Sequence, residues 1–349
     1  TVVVPTTGEV ASSTNDFGGM GGGTPAPPGQ PRTESTEEAS SKGIKSGSAM
    51  KITGGIITVS STDHAIHCPG ETVVKGGNIT LSSSAGNGIS THGNLTVSGS
   101  AQICVKTAVE GIESKQSFTV NGGRIRVLYA SDDAVNLGGT VTSDDVSNHV
   151  FTVNDGYLYL YGEGDCVDSN GKIVFNGGKI AILGPSRGGN SCIDGQYGVT
   201  HAGGTVFAVS TSNGMWREDV LGKINGEYVY HLSVGTVSAG DSISAVSSDG
   251  SLLASVQLPF SGSVGALLLT GSVEDLTDCS FVLNGTLSDP FNEEGCCFVG
   301  DLTGGTWVTP LEGTASSGGF NPGGGDHGGG VGGGYSPGGC DHGGGKPGW

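Results

Sequence analysis

The sequence is short of the residues that build helices, membrane spans and nucleic-acid surfaces. Aromatic residues make up 6% of the 349 residues, whereas glycine occurs 68 times. No apolar run is long enough to cross a bilayer, and no stretch keeps the 3.6-residue hydrophobic period of an amphipathic helix. Lysine and arginine number 15 against 33 aspartates and glutamates, which gives a net charge of −18. This charge argues against nucleic acid as a partner and favours cations, or sugars bridged by cations.

What the sequence does contain is an internal repeat. A glycine step followed by alternating apolar residues recurs, and its copies begin at Gly54, Gly76, Gly99, Gly122, Asp155, Gly177 and Gly203. A second landmark keeps the same rhythm and begins at Gly43, Ala65, Gly88, Gly111, Ala134, Cys166 and Cys192. Repeats of this length that consist of short strands are typical of a β-solenoid. We therefore predict an all-β protein built on a parallel β-helix of about seven coils.

The composition divides the chain into four predicted regions. Residues 1–41 hold an apolar strand and a Gly/Pro-rich linker, and residues 42–226 form the β-helix. Residues 227–317 read as antiparallel hairpins that cap the helix, and residues 318–349 form a Gly-rich tail. The N-terminal strand "TVVVP" is expected to dock on the solenoid end or on another copy. Because the chain begins at Thr1 without Met, we expect a processed product that is secreted or held at the cell surface.

Stacking the coils brings acidic side chains into columns. The acids are Glu110, Asp133 and Asp165 in one column, Glu113, Asp168 and Asp194 in the next, and Asp132 beside them. Coils lie about 4.8 Å apart, and two carboxylates at that distance repel by about 3.5 kcal/mol at an effective dielectric of about 20. Calcium prefers hard oxygen ligands of this kind, so the columns predict a Ca²⁺ site. The alternative is that these acids are solvated turn residues.

A stripe of side chains beside the columns has the chemistry of a carbohydrate-binding surface. Its members are Arg124, Arg126, Tyr157, Tyr159 and Lys179, which alternate outward along the strands. Guanidinium, ammonium and aromatic groups suit carboxylated sugars and stacking on pyranose rings. The alternative is an ordinary strand surface. A polysaccharide lyase would need an Arg or Lys base beside the cation, and nothing in the sequence marks one residue for that role.

Two cysteines share one column in neighbouring coils. A separation of about 4.8 Å between Cys166 and Cys192 lies inside the range for a disulfide, so we predict one. The alternative is a pair of buried free thiols. The eight cysteines favour an oxidising compartment, whereas the sequons at Asn78, Asn94 and Asn284 leave glycosylation open.

The segments "EGIES", "TVNGGRIRVLYASDDAVN", "GDCVDSNG" and "NSCIDG" resemble the family of carbohydrate-binding domain proteins, over residues 42–287. The resemblance implies a right-handed parallel β-helix similar to pectate lyases. It also implies binding of plant-type polysaccharide, acidic or cellulosic, without cleavage. It implies calcium ligands at Glu110, Asp132, Asp133, Asp165, Asp168 and Asp194. Ala134 and Cys166 depart from the family pattern, as do the first coils, where "TDHAIH" stands at positions that often carry aspartates.

We therefore expect a secreted, non-catalytic, calcium-binding protein whose partner is polysaccharide. A second hypothesis is a structural subunit of an extracellular fibre, joined to its copies through the N-terminal strand and the Gly-rich tail. A polysaccharide lyase is a third.

Overall fold

The computed structural model describes residues 2–5, 41–186, 190–211, 223–225, 227–232, 234–270, 279–288, 295–308 and 311–315. Within these ranges the protein is all-β, apart from one short 3₁₀ helix at Val146–Asn148. In that part of the chain, no helix is long and apolar enough to span a membrane. The predicted linker and the predicted Gly-rich tail lie outside the described residues, and the predicted domain boundaries stay predictions.

Thirty strands are described along the chain. The first eleven are β1 (Val2–Pro5), β2 (Ile44–Lys45), β3 (Met50–Ser61), β4 (Ile66–Cys68), β5 (Thr72–Ser83), β6 (Ile89–Thr91), β7 (Leu95–Val97), β8 (Gln102–Thr107), β9 (Ile112–Ser114), β10 (Phe118–Ala130) and β11 (Val135–Leu137). The next eight are β12 (Val150–Gly162), β13 (Val167–Ser169), β14 (Lys172–Phe175), β15 (Lys179–Leu183), β16 (Ile193–Gly195), β17 (Val199–His201), β18 (Thr205–Thr211) and β19 (Lys223–Ile224). The remainder are β20 (Glu227–Leu232), β21 (Gly235–Val237), β22 (Ser242–Val246), β23 (Leu252–Gln257), β24 (Gly262–Thr270), β25 (Ser280–Leu283), β26 (Thr286–Leu287), β27 (Cys296–Cys297), β28 (Leu302–Thr303), β29 (Thr306–Val308) and β30 (Leu311–Ala315).

The strands wind into a parallel β-solenoid of about seven turns, as the repeat predicts. Short strands stack in the order β16-β13-β11-β9-β6-β4-β2 to form one sheet, called sheet B here. Longer strands of the same coils stack in parallel to form a second sheet, called sheet A, which includes β3, β5, β8, β10, β12 and β15. Each strand pairs with the equivalent strand of the next coil, so one residue per coil stands in each column.

The core lies between the two sheets and follows the period of two in the sequence. In β10, Phe118, Val120, Ile125 and Val127 are fully buried, and the ring of Phe118 lies 5.1 Å from that of Phe151 one coil away. Glycine allows the coils to bend between these strands. Gly123 has a φ of 89°, and a Cβ there would lie 2.6 Å from the carbonyl oxygen of Ala101. Only glycine tolerates both conditions.

The C-terminal strands are antiparallel, as predicted. β24 pairs antiparallel with β18, which closes the edge of the last coil of sheet A. A five-stranded sheet, in the order β27-β23-β22-β25-β29, packs on the outer face of sheet A and is called the C-terminal sheet here. Ring pairs across this contact include Phe207 with Phe281 at 6.2 Å and Tyr161 with Phe260 at 6.1 Å. The C-terminal strands therefore cover the side of the solenoid as well as its end.

The N-terminal strand docks on the solenoid of its own chain. β1 pairs in parallel with β3, from Val2 beside Ile57 to Pro5 beside Ser60. This is one of the two positions that the sequence left open. The pairing covers the free edge of the first coil in sheet A, which removes unpaired backbone groups from that edge.

Candidate metal centre

Sheet B brings the predicted acidic columns into register. Glu113 stands beside Asn136, Asn136 beside Asp168, and Asp168 beside Asp194, one residue per coil. The coil alignment inferred from the repeat is therefore confirmed. Because parallel strands are about 4.8 Å apart, each side chain in the column faces its neighbour at close range.

Three carboxylates converge at the C-terminal end of this column. One oxygen from each of Asp165, Asp168 and Asp194 lies within 4.8 Å of the other two. Asp165 and Asp168 are half-buried and Asp194 is exposed. The hydroxyl of Ser191 donates a hydrogen bond to Asp165 Oδ1 at 3.1 Å. The backbone N–H of Ser191 donates to the same oxygen, and the two hydrogen bonds together fix the orientation of the Asp165 carboxylate. We call these three residues the aspartate triad.

Two further aspartates lie against the triad. Burial, followed by the charges of Asp168, Asp132 and Asp165, raises the pKa of Asp133 to about 10. Burial likewise raises the pKa of Asp168 to about 8, followed by the charges of Asp165 and Asp194. Gly164 is part of the same arrangement, because a Cβ on it would overlap Oδ1 of both Asp132 and Asp133. The absence of a side chain at position 164 keeps the space between these oxygens open.

The two glutamates of the predicted set are held by protein donors instead. Glu110 accepts hydrogen bonds from the amides of Asn87 and Asn136, both at 2.8 Å. Glu113 accepts from Asn87 at 2.9 Å and from Ser90 at 2.9 Å, and it forms an ion pair with Lys115. Burial acts to raise the pKa of Glu113, but the hydrogen bond and charge of Lys115, with smaller contributions from Ser90 and His64, together outweigh burial and lower it. Neither glutamate belongs to the close three-carboxylate group found among the described residues.

One potential ligand was missed by reasoning from the sequence. Asn136 is 6% exposed, and its Nδ2 donates to Glu110, but its Oδ1 is buried without a hydrogen-bond partner in the described part of the chain. A buried carbonyl oxygen without a donor costs about 1–3 kcal/mol, and a cation ligand role removes that cost. The signal was present, because Asn136 stands in the column between Glu113 and Asp168. Carboxylate and amide oxygens together fit the donor set that Ca²⁺ prefers.

The first coils of the same sheet carry basic groups. Lys42 pairs with Asp63 at 2.5 Å, and the ring of His64 stacks on that of His67 at 5.5 Å. Burial lowers the pKa of His67 to about 4, followed by the charge of His64 and that of Lys42. The family pattern that the sequence resembles often has aspartates at these positions. The carboxylate groups that could hold a cation therefore lie in the later coils.

The predicted carbohydrate-binding stripe has the expected register and is partly covered. Arg124 stands beside Tyr157, with its guanidinium 4.1 Å from the ring centre, and Tyr157 stands beside Lys179. Arg126 stands beside Tyr159, which is only 5% exposed. Arg124, Arg126 and Tyr157 are half-buried and Lys179 is exposed, so carbohydrate binding by the stripe stays a prediction for all of its members except the buried Tyr159.

Three contacts with Cys296 and Phe298 account for the partial coverage. The ring of Tyr157 lies 5.9 Å from that of Phe298, and its hydroxyl contacts the thiol of Cys296. The ammonium of Lys179 lies 5.4 Å from the centre of the Phe298 ring. The outward aromatic groups therefore act as packing residues between two sheets. The ring of Tyr159 is buried, whereas that of Tyr157 is half-buried.

The predicted disulfide between Cys166 and Cys192 is not formed in the structure. Both are buried free cysteines, and they stand in neighbouring coils as expected. Cys166 Sγ donates to the carbonyl of Leu183 at 3.0 Å, whereas Cys192 Sγ donates to that of Gly184 at 3.1 Å. Each thiol is therefore directed at a backbone acceptor and not at the other sulfur. The alternative of two buried thiols is the one that the structure supports.

Comparison with known proteins adds one finding. A family model described as carbohydrate-binding domain-containing protein matches residues 4–86 and 80–253. These matches include the strands of both solenoid sheets and all five aspartates of the candidate metal centre. No curated protein and no solved structure matches the chain.

Proposed function

Because the chain belongs to the family of carbohydrate-binding domain-containing proteins, we propose that it binds polysaccharide with the help of Ca²⁺ at the aspartate triad. The observation that carries the calcium part is the convergence of Asp165, Asp168 and Asp194 within 4.8 Å. The buried, unpartnered Oδ1 of Asn136 supports it independently. A bound Ca²⁺ would supply positive charge and accept oxygens from a sugar, since it takes six to eight ligands.

The protein residues have separate roles in this proposal. Asp165, oriented by Ser191, and Asp168 would hold the cation from the half-buried side. Asp194 is exposed, so it stands at the position where sugar and cation would meet. Asp133 lies behind them, and burial together with the charges of Asp168 and Asp132 raises its pKa; a bound divalent cation would offset this repulsion and favour the ionised carboxylate. Acidic polysaccharide is the partner that this arrangement favours, because its carboxylates complete the coordination.

We propose binding without cleavage. A lyase reaction needs a base close to the cation and to the sugar. Arg124 and Arg126 lie on sheet A, whereas the triad lies on sheet B, and Lys115 is paired with Glu113. Incubation of the purified protein with polygalacturonic acid and Ca²⁺ should leave the ultraviolet absorbance unchanged, because unsaturated chain ends absorb there. A steady rise in absorbance would contradict this part of the proposal.

The binding itself is tested by affinity electrophoresis in gels that contain polygalacturonic acid. We expect retardation with Ca²⁺ and loss of retardation with chelator, because the carboxylates of triad and polymer repel each other without the cation. A protein that migrates alike in both gels and in a gel without polymer would contradict the proposal. We propose that the protein acts outside the cell, where polysaccharide occurs together with millimolar calcium. Extracellular modules that bind Ca²⁺ weakly have dissociation constants that reach this concentration range.

A role as a fibre subunit is a second candidate, and the pairing of β1 with β3 favours it. Four residues of β1 pair with the edge strand of the first coil. The same pairing can form between two chains when β1 of one copy adds to β3 of another, as in β-strand addition. Electron microscopy of the purified protein tests this role. Filaments that disappear when residues 1–5 are removed would support it, and single particles at all concentrations would contradict it.

A further inference from the structure

A cavity of about 460 Å³ opens beside the last coils of the solenoid. It is lined by the turn after β16 and by parts of β14 and β17, with side chains from Lys172, Gln196, Tyr197 and Thr200. Asn225 forms one wall. The volume lies within the range of about 300–1,000 Å³ that small-ligand sites occupy.

The chemistry of the lining fits a sugar residue. Tyr197 is half-buried and lines the cavity. Lys172, Gln196 and Thr200 are exposed, and they offer an ammonium, an amide and a hydroxyl. An aromatic ring with polar groups around it suits a ligand that has an apolar face and a hydroxylated edge, as a pyranose has.

The walls of the cavity are fixed by the backbone ladder. The N–H of Tyr197 donates to the carbonyl of Gly171, and that of Gln196 donates to the carbonyl of Ser169, both at 2.9 Å. Asn225 has a φ of 51°, and its Oδ1 accepts from the N–H of His201 at 3.1 Å. A site whose groups are held in place loses less entropy when it binds a ligand.

The cavity lies close to the aspartate triad along the chain. Asp194 lies in β16, and the turn that holds Gln196 and Tyr197 begins directly after that strand. Lys172 begins β14 in the preceding coil, four residues after Asp168. One polymer chain can therefore reach both places, with one residue at the triad and a neighbouring residue in the cavity.

We propose that this cavity is a binding subsite for one residue of an acidic polysaccharide, in which Tyr197 stacks on the sugar ring and Lys172 pairs with its carboxylate. The proposal rests on the proposed function, because it names the position and class of sugar that the same protein recognises. An alternative stacking platform exists at Trp307, which is 60% exposed. Trp307 lies on the edge strand β29, outside the cavity, and single exposed apolar side chains are common on protein surfaces.

The test compares four variants of the full chain in Ca²⁺ by titration with polygalacturonic acid. Tyr197→Ala is expected to weaken binding about tenfold, whereas Tyr197→Phe keeps the ring and binds as wild type does. Lys172→Gln is expected to weaken binding about threefold to the acidic polymer and to leave binding to hydroxyethyl cellulose unchanged. Trp307→Ala is the matched control, and it should bind as wild type does.

Each outcome separates the subsite from the proposed function. If the wild type binds in a Ca²⁺-dependent way but Tyr197→Ala binds equally well, the subsite is wrong and the proposed function stands. Loss of binding in Trp307→Ala alone would also overturn the subsite. If the wild type binds no polysaccharide, the proposed function fails and the subsite fails with it. Should Tyr197→Ala not fold, as judged by its melting curve, Lys172→Gln and Gln196→Ala decide the question.

Discussion

Two columns of side chains point outward along the solenoid, one from sheet A and one from sheet B, and they have different surroundings. The column on sheet A contains Arg124, Tyr157 and Lys179 in successive coils, and Phe298 from the C-terminal part packs against Tyr157 and Lys179. The column on sheet B contains Asn136, Asp168 and Asp194, and its last member is exposed. Both columns arise from the same period of two. An outward-facing residue of a solenoid becomes a packing residue when another part of the chain covers it. An outward-facing polar residue that nothing covers stays available to a ligand.

The largest expected effect is on the covered column. Tyr159→Ala should lower the free energy of unfolding by about 3–5 kcal/mol, because it removes a ring that is packed between two sheets. Urea unfolding followed by tryptophan fluorescence measures this change. Tyr197→Ala, whose ring is half exposed, is the control and should lose much less stability. A loss below about 1 kcal/mol in Tyr159→Ala would show that the C-terminal sheet does not hold this face closed.

The next effect concerns the acidic column. Calcium at about 100 times its dissociation constant should stabilise the wild type by about 2.7 kcal/mol, which is several degrees in melting temperature. The double variant Asp165→Asn, Asp168→Asn should lose this shift, because two of the three triad carboxylates are neutralised. Asp144→Asn is the matched control, since it removes an exposed acid outside the column. Melting curves with Ca²⁺ or chelator that shift equally in the double variant and the control would contradict the site.

A third effect is the pH dependence of the protein in chelator. The pKa of Asp133 is raised to about 10 and that of Asp168 to about 8, so both groups keep their protons in the folded chain when the unfolded chain has lost them. The stability they contribute is fully present below about pH 4 and is lost as the pH rises toward 8 and beyond. We expect a loss on the order of 1 kcal/mol per pH unit over this window. Asp133→Asn should flatten the slope of stability against pH between 5 and 8, and an unchanged slope would contradict the assignment.

Much of the solenoid could be predicted, because equivalent positions of successive sequence repeats become neighbours in successive coils. The glycine steps and the alternating strands placed Asp168 beside Asp194 and Arg124 beside Tyr157, and the observed register agrees. Burial was harder to predict, because Tyr157 and Tyr161 contact Phe298 and Phe260, which lie more than 90 positions later in the chain. No local pattern in β12 records those contacts.

Side-chain direction was the second limit. The column placed Cys166 next to Cys192, but the χ angles that direct each Sγ at a carbonyl depend on the backbone of β15 and the residue after it. The same limit applies to Glu110 and Glu113, whose donors Asn87, Asn136 and Lys115 became visible only as hydrogen bonds. Column position predicts which residues meet, whereas hydrogen bonding decides which of them remain available to a cation.

The smallest expected effect is at the basic end of sheet B, and it has the opposite sign. The pKa of His67 is lowered to about 4, because burial and the neighbouring His64, Lys42 and His92 disfavour its charged form. His67 therefore contributes stability above about pH 6.5, where the unfolded chain is also neutral, and this contribution is lost as the pH falls toward 4. His67→Gln should make the protein less sensitive to acid between pH 6.5 and 4.5 and leave the calcium shift intact, since the triad lies at the other end of the column. Melting temperatures across that pH range measure the effect, with His149→Gln as a control outside the column. If His67→Gln and wild type lose stability in parallel as the pH falls, the histidine is not the group that titrates, and the two ends of sheet B do not respond to pH in opposite directions.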